Sequence, residues 1–353
     1  MRFYLITAIA TLIILLTVLS FRQNVWQTNA LPYDDEQLGL DDQITINFSH
    51  VVAENTPKGL AADKFAQLVK EKSQGKINVQ VYPNGILYND ENELAALKNG
   101  AIQMIAPTIS KMTEALPSWQ VLDLPFLFEN EDQIYAALHG ELSKNLLAEL
   151  STINVHGLSF WNNGFKQIAS KIEPIQTVEQ FQGLTVRVMP SDLLVQQFNL
   201  LGAQPISTTF NDLYKKIQNN EILAQENTLS NLYSKGFYKM QPQITLSNHG
   251  LLAYGILMNE DFWQSLDESS QNVITQSLKE MERWQHEQAV ALNKINLQQL
   301  QDNPNVTFHS LSELQREQWA KTLQPIYQFY ENIGNPQFLT QLYKDIEKTN
   351  GNF

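Results

Sequence analysis

Arg187 stands near the end of an apolar run, LTVRVM (184–189), just before a helix start at Ser191. A guanidinium is a planar fork that matches a carboxylate through two parallel hydrogen bonds. In open α/β sheets ligands bind beyond the carboxyl ends of the strands, which is where this arginine falls. Lys166 follows Trp161-Asn162-Asn163-Gly164, read as a strand-to-turn junction with few side chains to pair it. Gln225-Glu226-Asn227 closes a short strand, and His249 follows Ser247-Asn248 at another strand end. Pro57-Lys58-Gly59 lies at a helix start, where backbone N–H groups favour anions. Taken singly, each has a plain alternative: Arg187 as a surface ion pair, Lys166 as a solvated lysine, the 225–227 trio as a turn. Taken together they suit capture of a small organic anion.

The chemistry that is missing narrows the field. The chain has no cysteine, which removes disulfides, thiolate nucleophiles, cysteine-held metals and a lipobox. No phosphate loop, dinucleotide glycine fingerprint, G-x-S-x-G elbow or H-E-x-x-H is present. The six histidines are scattered, none at metal-ligand spacing from another. No catalytic residue, metal or cofactor is therefore expected, and an enzyme is not. A net charge of −13 argues against binding a phosphate backbone, so no nucleic-acid partner is expected.

The elements that must position these groups follow an alternating grammar. ITINFSHVV reads as a strand, and Thr56-Pro57 as a helix cap followed by a first-turn proline. Ala61, Ala62, Phe65, Leu68 and Val69 then share one helix face. INVQVYP has strand periodicity, residues 89–99 read as a helix and QMIAPT as a strand. VHGLSFW and LTVRVM are further strands, with helices from Ser191 and over 211–218 and a short strand around Ile222. TLSNHG and LAYGILMN read as two strands in close succession. Such repeated units imply parallel α/β layers. Residues 268–303 hold a helical pattern without Gly or Pro, roughly 50 Å long, which suits a brace between two lobes. Ser312-x-x-Gln315 caps a further helix, and Asn335-Pro336 opens the last.

These segments resemble one family, the DctP-type substrate-binding proteins of tripartite ATP-independent periplasmic (TRAP) transporters. The matching stretches are FSHVVAENTPKG (48–59), INVQVYPNGILYNDENELAALKNGAIQM (77–104), VLDLPFLF (121–128), WNNGFKQ (161–167), GLTVRVMPS (183–191), QENTLSNLYSKGFY (225–238) and TLSNHG (245–250). The resemblance implies a two-lobed periplasmic binding protein fold of type II-like α/β lobes, joined by crossing strands and a long lobe-spanning helix. Lobe I would be 44–164 plus 253–292, and lobe II 165–252 plus 293–353. It implies that Arg187 pairs the substrate carboxylate, that Asn227 hydrogen-bonds it and that Lys166 supplies a second cation. Thr108, Ser110 or Lys111, with the Lys58 turn, would meet the ligand from lobe I, and His50, Asn163, Asn231 and His249 complete the expected site. Two cations with no facing acid suit a short C4-dicarboxylate such as succinate, fumarate or malate. Two departures stand out: Leu223-Ala224 replaces the family's usual Asp-Gly, and Thr228 replaces its usual Pro.

The implied role is an extracytoplasmic receptor that closes on its acid and delivers it to the small and large TRAP membrane subunits, acting as a monomer. The alternatives are a same-fold receptor for a uronate, sialic acid or aromatic acid, and a ligand-presenting component of a sensor. Arg2 followed by the apolar run 5–19 has the layout of a secretory signal over 1–30, cleaved or kept as an anchor. Residues 31–43 read as an acidic spacer. The expected location is the periplasm.

Overall fold

The structure, a computed structural model, describes residues 43–350; the expected signal and spacer lie outside the described residues. Strand β1 (Ile44–Ser49) leads into helix α1 (Pro57–Lys72). The Thr56 hydroxyl caps α1 by accepting from the Gly59 N–H at 3.2 Å, and Pro57 takes the first turn, where a missing N–H costs nothing. The stripe Ala61, Ala62, Phe65, Leu68 and Val69 is buried as the periodicity implied. Then come β2 (Ile77–Tyr82), α2 (Glu93–Lys98), β3 (Met104–Ile105) and α3 (Ile109–Met112). The helix expected over 89–99 is confined to the short α2. Helices α4 (Glu131–His139) and α5 (Glu141–Glu149) precede β4 (Val155–Ser170).

A second set of units follows: β5 (Thr185–Val188), α6 (Asp192–Leu200), β6 (Gln204–Ser207), α7 (Phe210–Gln218), β7 (Ala224–Asn227) and α8 (Leu229–Ser234). The chain then forms β8 (Gln243–Asn259), α9 (Glu260–Ser265), α10 (Glu268–Gln301), β9 (Thr307–Ser310), α11 (Glu313–Leu323), α12 (Pro325–Ile333) and α13 (Pro336–Asn350).

The strands form one sheet in the order β2-β1-β3-β8-β4-β7-β5-β6, with β9 against β8. The trios β2-β1-β3 and β7-β5-β6 are each parallel, but β4 and β8 run antiparallel between them, so the sheet is mixed rather than wholly parallel. TLSNHG and LAYGILMN are not two strands but one, the 17-residue β8. Likewise WNNGFKQ is not a strand-to-turn junction but the middle of the 16-residue β4. Its polar residues mark a bulge: the register shifts between Asn162 and Gly164, and Gly164 takes φ +108, a conformation that side-chain-bearing residues rarely adopt. The far end of β8 pairs with β3, and Gln167–Ser170 of β4 pair with β7, so the two long strands cross from one trio to the other.

Helix α10 braces this crossing. Its 34 residues span about 50 Å, and it packs on α1, on β4 and on α8. The Gln285 amide bonds both backbone groups of Asn162, at 2.9 and 2.7 Å. Asn293 donates to the Asn163 carbonyl at 2.8 Å and accepts from the Ser230 N–H at 3.0 Å. A glutamine thus replaces a strand partner at the bulge and keeps its buried peptide groups paired. One apolar core gathers around Phe48, Phe65 and Leu278 and another around Leu213, Ile217 and Leu232, while a larger one contains Ile105 of β3 together with Val186 and Val188 of β5. Helix α13 packs on α4 and α5, with the Asp345 carboxylate accepting from the Leu142 N–H at 2.9 Å. Among the described residues no helix is long and apolar enough to cross a membrane.

Candidate functional site

Strands β1, β3, β5 and β7 all end at one cavity. This is where side chains at the carboxyl ends of parallel strands converge. From the first trio come Val51, Val52, Asp90, Thr108 and Lys111; from the second, Arg187, Met189, Phe210, Asn227 and Asn231. Leu252 and Tyr254 of β8 form the floor.

Arg187 is buried in β5, and its Nε and Nη2 both donate to the Thr208 carbonyl at 3.2 Å. That leaves the rest of a five-donor fork unbonded within the described residues. Burial lowers its proton affinity, and Asp90 and Glu226 oppose the shift. Asn227 ends β7; its amide donates to Gln225 Oε1 at 3.1 Å and accepts from the Asn231 amide at 3.0 Å. Thr228 gives α8 its cap: its hydroxyl accepts from the Asn231 N–H and from the Asn163 amide, the latter at 2.7 Å. A proline could supply neither bond, so the departure at 228 fixes the two asparagines in place.

Polar atoms without partners mark what the cavity demands. Thr108 Oγ1, Tyr254 Oη and Asn231 Oδ1 are buried and make no hydrogen bond within the described residues. Buried polar groups are otherwise almost always paired; the Thr108 and Tyr254 hydroxyls can donate to a ligand oxygen, whereas Asn231 Oδ1 can only accept and suits a donor such as the neighbouring Tyr254 hydroxyl. Burial pushes the Tyr254 phenol well above its usual range, against the pull of Asn231, so it is a neutral donor.

Of the residues singled out from the sequence, Thr108, Lys111, Arg187, Asn227 and Asn231 line the cavity. The others stand behind its walls. Lys166 is fully buried, with its ammonium donating to Glu226 Oε1 at 3.0 Å and lying 3.6 Å from Asp123. His249 faces the other Glu226 oxygen at 3.2 Å and Ser247 at 2.7 Å, and Ser110 donates to Asp123 at 2.8 Å. Burial alone would raise the Glu226 carboxyl, but Lys166 and His249 outweigh it and hold it at about 2. Lys58 donates to the Ala106 carbonyl at 2.8 Å with its ammonium 3.8 Å above the Tyr254 ring, and burial lowers it to about 8. His50 is buried with both ring nitrogens unpartnered, and burial beside Lys58 lowers it to about 3, so the ring is neutral. Asn163 serves Thr228 rather than the cavity.

The expectation of no facing acid is corrected. Asp90 lines the cavity, with its carboxylate 2.7 Å from Lys111. It lies in the polar stretch NDENE, where nothing local marks one acid apart from its neighbours. Tyr254 and Phe210 were also unread, being indistinguishable in sequence from core aromatics.

Residues 48–333 match the family DctP, described as bacterial extracellular solute-binding protein, family 7. The chain belongs to that family. It is a solute-binding protein, not an enzyme, with the two-lobed α/β fold of TRAP solute receptors. It is 43% identical over 310 residues to the C4-dicarboxylate-binding protein DctB of Bacillus subtilis, covering 88% of this chain and 89% of that one. It is 35% identical over 297 residues to the C4-dicarboxylate-binding periplasmic protein DctP of Rhodobacter capsulatus, covering 84% of this chain and 89% of that one. A TRAP periplasmic solute-binding protein of Shewanella oneidensis, solved with bound succinate, superposes with a TM-score of 0.83 at 36% identity, covering 86% of this chain and 99% of that one.

Proposed function

We propose that this chain captures a C4-dicarboxylate, of the succinate, fumarate or malate type, by closing two lobes around it outside the cytoplasmic membrane. The observation that carries this is one cavity with a cation on each wall, Arg187 and Lys111, lined also by the unpartnered buried hydroxyls of Thr108 and Tyr254. Arg187 takes one carboxylate with help from Asn227. Thr108, Tyr254 and Lys111 serve the other end. Lys166, His249, Ser110 and Asn163 hold that surface from behind, and Lys58 and His50 support the opposite wall. Lobe I is 44–164 plus 253–292 and lobe II 165–252 plus 293–353; α13 returns from lobe II to cover α4 and α5.

Removing a carboxylate from water is costly unless it is paired and hydrogen-bonded, so closure is favourable only around an acid whose ends meet both walls. The closed form then delivers its acid, as a monomer, to the small and large TRAP membrane subunits. The names of the Bacillus and Rhodobacter relatives and the succinate in the Shewanella structure support this ligand class.

The test is a thermal-shift screen of the purified chain against organic acids, followed by calorimetry on the hits, since a ligand that binds the folded state raises apparent stability. One-to-one binding of succinate, fumarate or malate is expected. Binding of a uronate, sialic acid or aromatic acid with no response to C4-dicarboxylates would overturn the ligand assignment.

A further inference from the structure

Asp90 lies between β2 and α2, and its side chain is only 4% exposed. Its Oδ1 is 2.7 Å from Lys111 Nζ, and its backbone carbonyl accepts from the same ammonium at 2.5 Å. Its Oδ2 accepts from the Phe210 N–H at 2.8 Å. Phe210 opens α7, whose first turn presents N–H groups with no intrahelical partner and favours a negative charge. The strands feeding these two loops, β2 and β6, are the opposite edges of the sheet. One carboxylate therefore joins loops that the sheet order places furthest apart, and does so at the cavity.

We propose that Asp90 is a positioning residue for ligand capture: it pins Lys111 at one wall of the cavity and ties that wall to α7 on the other. The inference rests on the cavity being an organic-acid site. Asp90 is the acid among the cavity-lining residues. The charged groups that feel it are Arg187, Lys58, Lys111, Lys235 and Glu93. Without it, closure would press Arg187 against Lys111, with Lys58 behind, and no lining carboxylate to separate them. With it, Lys111 is held by two oxygens of one residue, and the closed walls share a charge-assisted hydrogen bond from the Phe210 N–H to the Asp90 carboxylate.

The test uses the full chain and two readouts. The first is acylation of lysines by an amine-reactive ester without ligand, read peptide by peptide in a mass spectrometer. Lys144, whose side chain is 68% exposed, and the buried Lys58 are internal references. Lys111 should label about tenfold more slowly than Lys144, and Asp90→Asn should bring it close to the Lys144 rate while Lys58 stays slow. The second is the dissociation rate of succinate by stopped flow. Asp90→Asn should raise it about tenfold with little change in association, and Lys111→Met should do the same. Three results would overturn the proposal: Lys111 labelling as fast as Lys144 in the wild type, Lys58 becoming reactive together with Lys111, which would mean general loosening, or tighter succinate binding by Asp90→Asn, which would mean Asp90 only repels the acid. If the wild type binds no succinate the functional reading fails, while the labelling still decides whether Asp90 pins Lys111.

Discussion

The two walls of the cavity are built on opposite electrostatic plans. Behind the Arg187 wall, Lys166, Glu226, His249, Asp123 and Ser110 form a buried network in which Glu226 is held ionised at about 2. Behind the Lys111 wall, the His50 ring nitrogens and the Glu93 carboxyl have no hydrogen-bond partner among the described residues, and burial moves His50 to about 3, Glu93 to about 7 and Lys58 to about 8. One wall pairs most of its charges internally, Asp123 Oδ2 being the exception within the described residues, and presents Arg187 to the cavity. The other is under-satisfied, and Asp90 is its connection to the opposite side. A preset anchor thus faces a wall that reaches it through Asp90, and a ligand bonded to both walls favours the closed form.

Removing one side of the internal network should give the largest effect. Glu226→Gln leaves Lys166 a buried cation with weaker partners, and losing one member of a buried pair costs about 3–5 kcal/mol. Urea denaturation should show that loss; a loss below about 1 kcal/mol would mean the network contributes little. Next is the anchor itself. Arg187→Lys keeps the charge but not the fork and should weaken succinate binding by about a hundredfold in calorimetry. Unchanged affinity would remove Arg187 from the site.

The walls should also part company with pH. His50 has a folded value of about 3, below its unfolded 6.5, so the folded state resists the proton. Its contribution is intact above pH 6.5 and is lost as pH falls from there towards 3. Glu226 is depressed from 4.5 to about 2, so its contribution is intact above pH 4.5 and lost between there and 2. Over the same range Glu93, raised to about 7, opposes this loss while His139 and His286, each lowered to about 4, add to it, so stability measured from pH 6.5 to 4.5 should fall in the wild type, and His50→Gln should flatten that slope by about 1 kcal/mol per unit while Glu226→Gln leaves it in place. The smallest effect has two signs. Thr108→Val removes a buried hydroxyl with no partner, so it should leave ligand-free stability unchanged or raised, yet weaken succinate by about 1 kcal/mol. A loss of ligand-free stability instead would show that Thr108 has a partner in the fold.

Local chemistry was readable from the residues alone. Thr56, Ser191 and the Ser312–Gln315 box cap helices where the spacing put them, and Arg187 lies on its strand at the cavity. The crossing strands were not readable as continuous. Asn162, Asn163 and Gly164 break the period-two pattern of β4, and Asn248, at φ +44, breaks that of β8, so each long strand looked like two short pieces around a turn. What pairs the backbone of Asn162 and Asn163 is Gln285 and Asn293, more than a hundred positions away, and what pairs Asn248 is Gln167. Lys166 likewise looked unpaired because Glu226 lies far along the chain, and Asp90 went unread because Phe210 does too. These errors concern buried polar groups whose partners are distant in sequence.

The most direct test of the anchor is a crystal structure of the chain with succinate. One carboxylate is expected on the Arg187 guanidinium through two hydrogen bonds of about 2.9 Å, with the other end turned towards Lys111 and Thr108. A succinate held elsewhere, with Arg187 bonded only to the Thr208 carbonyl, would contradict it.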